Sequence, residues 1–385
     1  MRNDVTQFEV MQKHYKQRDL AAREWKAKGG KVAGYFCDKV PEEMILAAGF
    51  FPLRLSGDPW HSTEAADKYT EPFYEGFVRS MFSMLLAGQY DFLDFLIIPH
   101  SRDSILGLYA ILQEVQGFDP DLELPELYLF ETLHTRFYLT GLYNRDRVRD
   151  LKKKLERWSG KEISNESISQ AIAVVNENKA LLKKAAELRA TEPPHLSGTE
   201  ALQIIGSSIF MLKDEHNKLL TRFLEEADKL PERDGMRLFV TGSPMDNLQF
   251  YELVESCNAV IVGEDSCWGK RYADDPVATS LDPLEAIADR YHLKSPCPWM
   301  YPMALRPKYC LQKSLEAKAQ GAVFFIDEWD YAQAWDYPDL KEALEANGIP
   351  TVCFKKQKYL LSDSERERLK IGIEDFIKKI EAGVT

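Results

Sequence analysis

The sequence contains no run of eighteen apolar residues, the length that a helix needs to span a bilayer. It also lacks an excess of basic residues, because 49 Lys and Arg stand against 61 Asp and Glu and give a formal net charge of -12. Surfaces that bind nucleic acid or anionic membranes need clustered Lys and Arg. We therefore expect no nucleic-acid partner and no membrane partner, and instead a small molecule or another protein.

Cysteine is scarce, and no two cysteines form a recognisable ligand pair. The chain has 385 residues and six cysteines, at positions 37, 257, 267, 297, 310 and 353. No CxxC pair or tight Cys and His spacing occurs, which argues against a self-contained zinc or ferredoxin-type site. The scatter indicates reduced thiols in a cytoplasm rather than a disulfide framework. The charged, amphipathic N-terminus is not typical of a signal peptide.

What the sequence does contain is an alternation of short apolar segments with stretches of helical periodicity. Several of the short segments are apolar at consecutive positions, as in strands that helices cover on both faces. The predicted strands are 32–36, 95–98, 127–130, 238–240, 260–262, 323–326 and 351–354. We therefore predict an α/β fold with parallel sheets in two Rossmann-like lobes.

A helical region is expected between the two lobes, because residues 144–229 are rich in Lys, Glu, Leu and Ala. Ser164 or Asn165 is expected to cap one helix, and Ser197 with Glu200 to form the capping box of the next. The expected parts are an N-terminal helix (1–30), a first α/β lobe (31–143), the helical region (144–235) and a second α/β lobe (236–385).

Ligands of open α/β sheets bind beyond the carboxyl ends of the strands, so the cleft between the lobes is the expected site. Five segments follow predicted strands there: 37–43, 99–104, 241–246, 263–272 and 327–336. Glu42 or Glu43 would face the cleft as an acid or positioning group, although an ordinary helix start explains the same residues. Segment 263–272 combines two acids, a thiol, an indole and two bases, and a solvated loop is its alternative explanation.

Several short motifs are distributed along the chain. They are AAREWK at 21–26, VPEEMILAAG at 40–49, NENK at 176–179, LR at 188–189 followed by EP at 192–193, EHN at 215–217, SPCP at 295–298 and NGIP at 347–350. Through these motifs the sequence resembles, over nearly the whole chain, the family of 2-hydroxyacyl-CoA dehydratase and benzoyl-CoA reductase catalytic subunits. The first and middle blocks are most similar to the smaller subunit of the ATP-dependent, class I benzoyl-CoA reductases.

This resemblance implies a cytoplasmic, anaerobic heterodimer of two related subunits, each with two α/β lobes. Each subunit would hold a [4Fe-4S] cluster through three cysteines, with the fourth iron position open. An ATP-driven activator, itself an iron-sulfur protein, would inject one low-potential electron. That electron makes a ketyl radical of the acyl-CoA thioester, so that a hydroxyl group leaves or an aromatic ring is reduced.

The chain departs from the family at the three positions where the resemblance implies cluster ligands. Glu75, Arg102 and Asp330 stand there, and none is a cysteine. Arg cannot ligate iron, because its guanidinium is cationic and has no free donor pair. Our hypothesis is that the guanidinium and the two carboxylates fill the cavity as an ion triad. The alternative is that all three side chains point into solvent.

The resulting prediction is a cluster-free subunit that supports a cluster-bearing paralogous subunit and binds no cofactor alone. Within it, Glu43 and Asp265 are the candidates for reaching the substrate, and Lys270 and Arg271 for binding the CoA phosphates. One alternative is a dehydratase subunit whose cluster has moved to Cys37, Cys267 and Cys297. Another is a two-lobed, non-catalytic binding protein. The sequence does not distinguish ring reduction from dehydration, identify the acyl-CoA or decide whether a flavin binds.

Overall fold

The structure, a computed structural model, describes residues 6–119 and 122–383. In this part of the chain, eight strands form two four-stranded parallel sheets, with the orders β2-β1-β3-β4 and β6-β5-β7-β8. The strands are β1 (Val32–Tyr35), β2 (Phe51–Arg54), β3 (Phe95–Pro99), β4 (Glu126–Phe130), β5 (Met236–Gly242), β6 (Ala259–Asp265), β7 (Gly321–Asp327) and β8 (Thr351–Gln357). The identical strand order and the flanking helices confirm the predicted α/β fold with two lobes.

Helices flank both sheets and fill the region between them. They are α1 (Gln7–Lys16), α2 (Leu20–Ala27), α3 (Glu42–Ala47), α4 (Glu64–Asp67), α5 (Gly76–Leu86), α6 (Asp103–Phe118), α7 (Tyr138–Ser159), α8 (Asn165–Ala190), α9 (Gly198–Phe210), α10 (Lys213–Glu225), α11 (Gln249–Glu255), α12 (Lys270–Ala273), α13 (Pro283–Leu293), α14 (Leu305–Glu316), α15 (Tyr331–Glu345) and α16 (Asp363–Glu381). No helix in the described ranges is both long and apolar enough to cross a membrane.

The predicted helix caps form between the lobes. Ser164 is the N-cap of α8, and its side chain accepts a hydrogen bond from the Ser167 amide. Ser197 and Glu200 make the predicted capping box of α9, in which each side chain accepts from the other residue's backbone amide. These helix caps could be predicted from the sequence because each depends on residues only three positions apart.

One strand, β2, was absent from the prediction. It is only four residues long and contains Pro52, which normally argues against a strand. The structure places β2 at the edge of the first sheet, where it pairs only with β1. An edge strand tolerates proline because one side of its backbone needs no partner strand.

The two lobes interlock through helix α13. This helix follows β6 of the second sheet in sequence, yet it packs on α7 and α8. Its buried residues Ala286 and Ile287 share a hydrophobic cluster with Ala33 and Ile97 of the first sheet. A second and larger cluster includes buried residues from both sheets, such as Leu96 and Leu238. The lobes are therefore joined by continuous apolar packing, which fixes the cleft residues relative to one another.

Candidate functional site

Three helix starts meet between the lobes, and each contributes one charged side chain. Glu75 is the N-cap residue of α5, Arg102 that of α6 and Asp330 that of α15. Arg102 follows β3 of the first sheet, and Asp330 follows β7 of the second sheet. Parallel strands end at the same edge of their sheet, so this connectivity delivers both residues to the cleft.

Glu75, Arg102 and Asp330 form a buried ion triad, as the hypothesis predicted. Nη1 of Arg102 donates to Oε1 of Glu75 at 2.7 Å and lies 3.8 Å from Oδ2 of Asp330. The side chains of Arg102, Glu75 and Asp330 are 10%, 6% and 0% exposed, which excludes the alternative that they point into solvent. The guanidinium also lies over the rings of Phe77 and Trp299, at 5.1 and 5.7 Å from their centroids.

The triad carries more negative than positive charge, since two carboxylates share one guanidinium. Burial alone would lower the pKa of Arg102, but Asp330 and Glu75 outweigh that effect and raise it above its usual range. The neighbouring Asp327 has a pKa raised well above its ordinary value, first by burial and then by the charges of Asp330 and Glu75. A further ionised carboxylate is therefore disfavoured next to the triad.

These three side chains do not fit a [4Fe-4S] cluster. Such a cluster needs thiolate donors, and the central side chain here is a cation with no free donor pair. Its positive charge is already engaged with Glu75 and faces Asp330. Among the described residues, no group of three or more His, Cys, Asp or Glu side chains is arranged to hold a metal ion.

Asp265, a predicted catalytic residue, lies in a second buried ionic network. Its carboxylate accepts from Nη1 of Arg271 at 2.8 Å and from Nη1 of Arg306 at 2.5 Å. Nε of Arg306 donates to Asp336 at 2.7 Å. Two carboxylates thus face two guanidinium groups, and all four side chains are at most 4% exposed. The network is balanced in charge and ties the end of β6 to α12, α14 and α15.

Glu43, the other predicted catalytic residue, is completely buried at the start of α3. The Tyr291 hydroxyl donates to its Oε2 at 2.9 Å, and Nζ of Lys179 lies 3.8 Å from its Oε1. Burial, reinforced by the charge of Arg290, lowers the pKa of Lys179 to about 7. The structure therefore joins Glu43 to α8 and α13 and does not bring it together with Asp265 through any hydrogen bond or ion pair among the described residues.

The residues predicted to bind CoA phosphates already have protein partners. Nζ of Lys270 lies 3.7 Å from Glu316, and its backbone amide donates to Glu264 at 2.6 Å. Arg271 is 3% exposed and binds Asp265. A phosphate at Arg271 would have to compete with Asp265, so the role of this pair in CoA binding stays a prediction.

The three alternative thiols share charged neighbours near the cleft. Arg54 interacts with Cys37 and Cys267, and Arg271 with Cys267 and Cys297. Sγ of Cys267 accepts from Nη2 of Arg54 at 3.2 Å, and Sγ of Cys37 contacts Oδ1 of Asp38 at 3.4 Å. Burial, then the charges of Asp38 and Cys267, raises the pKa of the Cys37 thiol to about 11. Metal ligation requires the thiolate, so this environment disfavours it. Cys297 is partly exposed.

Two cavities accompany these clusters. One of about 390 Å³ adjoins the triad and includes Trp299, Trp329 and Tyr331 in its wall. The other, of about 710 Å³, lies where the end of β2 meets the loop before α11, and Arg18 and Arg54 are part of its wall. The smaller cavity lies where two predicted cleft segments meet, since Asp103 and Ser104 belong to 99–104, and Trp329 and Tyr331 to 327–336. The larger cavity was not predicted, because most of its wall lies outside the five segments.

A family model described as 2-hydroxyglutaryl-CoA dehydratase, D-component, matches residues 37–380, which is most of the chain. This range contains seven of the eight described strands and all three triad residues. The chain belongs to this dehydratase family. The family resemblance inferred from the motifs is thereby confirmed.

The curated relatives of this dehydratase-family chain are similar along most of their length. The (R)-phenyllactyl-CoA dehydratase beta subunit of Clostridium sporogenes is 26% identical, over 84% of this chain and 86% of its own. The beta subunit of (R)-2-hydroxyglutaryl-CoA dehydratase from Acidaminococcus fermentans is 26% identical, over 85% and 87%. A benzoyl-CoA reductase subunit of Thauera aromatica is 25% identical, over 87% and 88%. Dehydratase and reductase subunits thus match this chain about equally well.

Proposed function

We propose that this chain is a subunit of a heteromeric acyl-CoA dehydratase or reductase, that it holds no [4Fe-4S] cluster and that it supports a cluster-bearing paralogous subunit. The observation that carries the proposal is the Arg102 guanidinium between Glu75 and Asp330. A cation in that place is incompatible with iron ligation, and the paired carboxylates stabilise it there. The chemistry would then take place on the partner subunit.

The names of the relatives support the heteromeric part of the proposal. Each of the three is named as one subunit of an enzyme, and two are beta subunits, which implies companion subunits in their own complexes. By the same analogy, the complex would act in an anaerobic cytoplasm on an acyl-CoA. It would receive its electron from an ATP-dependent iron-sulfur activator, as in the class I benzoyl-CoA reductases.

Within such a complex, the chain's own residues would shape and stabilise the cleft between the lobes and would not transfer electrons. Glu43 and Asp265 are fully buried and paired, so we assign them the task of holding the cleft between the lobes in a fixed geometry. Lys270 and Arg271 would reach CoA phosphates only where the partner subunit brings the substrate to that face of α12.

Reconstitution under anaerobic conditions tests this proposal. The chain is produced alone and together with a paralogous subunit that has intact cysteines, and acyl-CoA turnover is measured with the activator and ATP. We expect a stable complex and turnover only when both subunits are present. A chain that stays monomeric beside the paralogue, or that turns over acyl-CoA without it, would contradict the proposal.

A cysteine-restoring variant tests the correspondence of the three positions. E75C/R102C/D330C replaces the triad with three thiols at the ends of the same three helices. We expect this variant to gain iron and acid-labile sulfide on anaerobic reconstitution, whereas the unchanged chain gains neither. E71C/R79C/D67C, which places three thiols at nearby exposed or partly exposed positions, is the control.

A further inference from the structure

Exposed aromatic side chains surround the mouth of the smaller cavity. Phe73 and Tyr331 belong to its wall, and both are exposed to solvent. Trp335 lies one turn after Tyr331 on α15, on the same side of that helix, and is exposed as well. Large aromatic side chains are mostly buried on average, so three exposed rings beside one cavity point to a surface that another molecule covers.

This surface continues through Trp299 to a second group of rings. Trp299 lines the cavity, and two residues later Tyr301 stands next to Phe137, with ring centroids 5.8 Å apart. The backbone joins the two segments, because the Tyr301 amide donates to the His134 carbonyl at 2.8 Å. Tyr138 follows Phe137 at the start of α7. We call this surface the aromatic face; its exposed residues are Phe73, Phe137, Tyr138, Tyr301, Tyr331 and Trp335.

The two segments that carry the second group contain no charged residue. Neither 137–144 nor 295–305 includes an Asp, Glu, Lys or Arg, although 29% of the residues in the chain are charged. The charged residues that precede them have intramolecular partners. Arg136 donates to the Lys294 carbonyl, and Nζ of Lys294 lies 2.6 Å from Asp38. Depletion of charge together with enrichment in aromatic residues is the composition of the centre of a protein interface.

The area of the aromatic face suits a complex of two folded proteins. Its six residues are between 51% and 80% exposed. At about 200 Å² for a whole aromatic residue, their exposed parts amount to roughly 750 Å². The largest apolar patch of a typical monomer is about 300–600 Å², whereas each partner of a standard interface buries about 800 Å². A small molecule or a short peptide would leave most of this area in water.

We propose that the paralogous subunit binds to the aromatic face and covers the mouth of the cavity beside the ion triad. This inference rests on the proposed heteromeric function and names the surface that the complex would use. A second copy of this chain is disfavoured there, because each copy carries a net charge of -12 and the two would repel. Trp299 lines the cavity, and the Arg102 guanidinium lies 5.7 Å from its ring centroid, so binding at this face also encloses the triad.

Anaerobic calorimetric titration of the chain with the paralogous subunit tests this assignment. Tyr138→Glu and Trp335→Glu each place a charge where the interface needs an apolar group. Both side chains are exposed in the isolated chain, so the substitutions should leave its fold intact. We expect each variant to raise the dissociation constant about thirtyfold or more, as the loss of a central aromatic residue does in other interfaces.

Phe118→Glu is the matched control. Phe118 is also an exposed aromatic residue, but it ends the helix α6, whose first residue follows Arg102 of the triad. Its 16 residues place Phe118 about 24 Å from that end of the helix. This variant should bind the paralogous subunit like the unchanged chain.

Amide hydrogen exchange locates the contact without any substitution. The first amides of α7 have no partner within the helix, so they should exchange rapidly in the isolated chain. We expect the complex to slow exchange in 137–142 and 299–304 and to leave the C-terminal end of α6 unchanged.

The outcomes separate this inference from the function on which it rests. Unchanged affinity in both Tyr138→Glu and Trp335→Glu, without slower exchange in the two segments, would overturn the aromatic face as the binding surface while the complex itself stands. Failure of the unchanged chain to bind the paralogous subunit would contradict the proposed function as well. Self-association of the isolated chain that Tyr138→Glu abolishes would assign the face to a second copy and refute the paralogous subunit as its partner.

Discussion

Two buried ionic clusters lie in the same cleft and differ in their charge balance. Around Asp265, two carboxylates face two guanidinium groups. Around Arg102, two carboxylates share one guanidinium. Each cluster leaves two buried polar atoms without a hydrogen-bond partner in the described residues: Nε of Arg271 and Nη2 of Arg306 in the first, and Oε2 of Glu75 and Oδ2 of Asp330 in the second. The clusters therefore differ in net charge, which is balanced around Asp265 and negative among the three side chains around Arg102.

This difference in net charge predicts that neutralising an acid affects the stability of the two clusters differently. Breaking a buried and balanced pair leaves an uncompensated charge, which is strongly destabilising. Removing a surplus charge should cost little stability or even raise it, because the remaining ion pair is then neutral. Asp265 and Glu75 are both buried acids paired with arginine, yet their neutralisation should have very different effects on stability.

Neutralising Asp265 should have the largest effect. Asp265→Asn leaves Arg271 and Arg306 with Asp336 as their only acid in the network, and we expect the free energy of unfolding to fall by about 3–5 kcal/mol. Urea denaturation at neutral pH measures this change. The control is Asp67→Asn, whose pair with Arg79 is 38% and 26% exposed and should contribute less than about 1 kcal/mol. Equal losses in the two variants would refute the structural role of the Asp265 network.

Removing the shared cation should have the next largest effect. Arg102→Met leaves the carboxylates of Glu75 and Asp330 buried without their cation, and we expect a loss of about 3 kcal/mol. Because the loss comes from repulsion and desolvation, the double variant R102M/E75Q should recover a large part of it in the same denaturation experiment. A double variant less stable than R102M would show that Glu75 does not carry the surplus charge.

The sequence predicted the sheets well because strand patterns are local. Seven of the eight described strands coincide with predicted segments, and only the proline-containing edge strand β2 was absent. The ion triad was predictable only through the family resemblance, which identified positions 75, 102 and 330 as neighbours. Nothing in the local sequence relates Glu75 to Asp330.

The pairing of the other candidates was not predictable for the same physical reason. Glu43 meets Lys179 and Tyr291, which lie far away in sequence, and Asp265 meets Arg306. A carboxylate at a strand end or helix start has the pattern of a cleft residue, whether it faces a ligand or an arginine. Only the packing of α8, α13 and α14 decides between these two outcomes.

The pH dependence of stability should reveal the crowding of acids near the triad. The pKa of Asp327 is raised well above its ordinary value of 3.8, so the folded protein retains this proton after the unfolded chain has released it. Its contribution to stability is present below about pH 4 and is lost as the pH rises through the folded pKa, at no more than about 1.4 kcal/mol per pH unit. Asp327→Asn should remove that slope from denaturation curves recorded between about pH 4 and 8. An unchanged slope would argue against a retained proton.

Neutralising Glu75 should have the smallest effect on stability. Glu75→Gln removes the surplus charge and leaves Arg102 facing Asp330, so we expect a change in the free energy of unfolding of less than about 1 kcal/mol in either direction. The comparison with Asp265→Asn in one set of denaturation curves is direct, because both substitutions are isosteric and both sites are buried. A loss as large as that of Asp265→Asn would mean that the two clusters do not differ.

The most direct test of the central claim is the iron and acid-labile sulfide content of the chain. The chain is purified alone under strictly anaerobic conditions and is then reconstituted with iron and sulfide before the measurement. We expect a colourless protein with far less than one iron per chain, because a guanidinium occupies the place that thiolates would need. About four irons and four sulfides per chain, with the absorption of a [4Fe-4S] cluster, would contradict it.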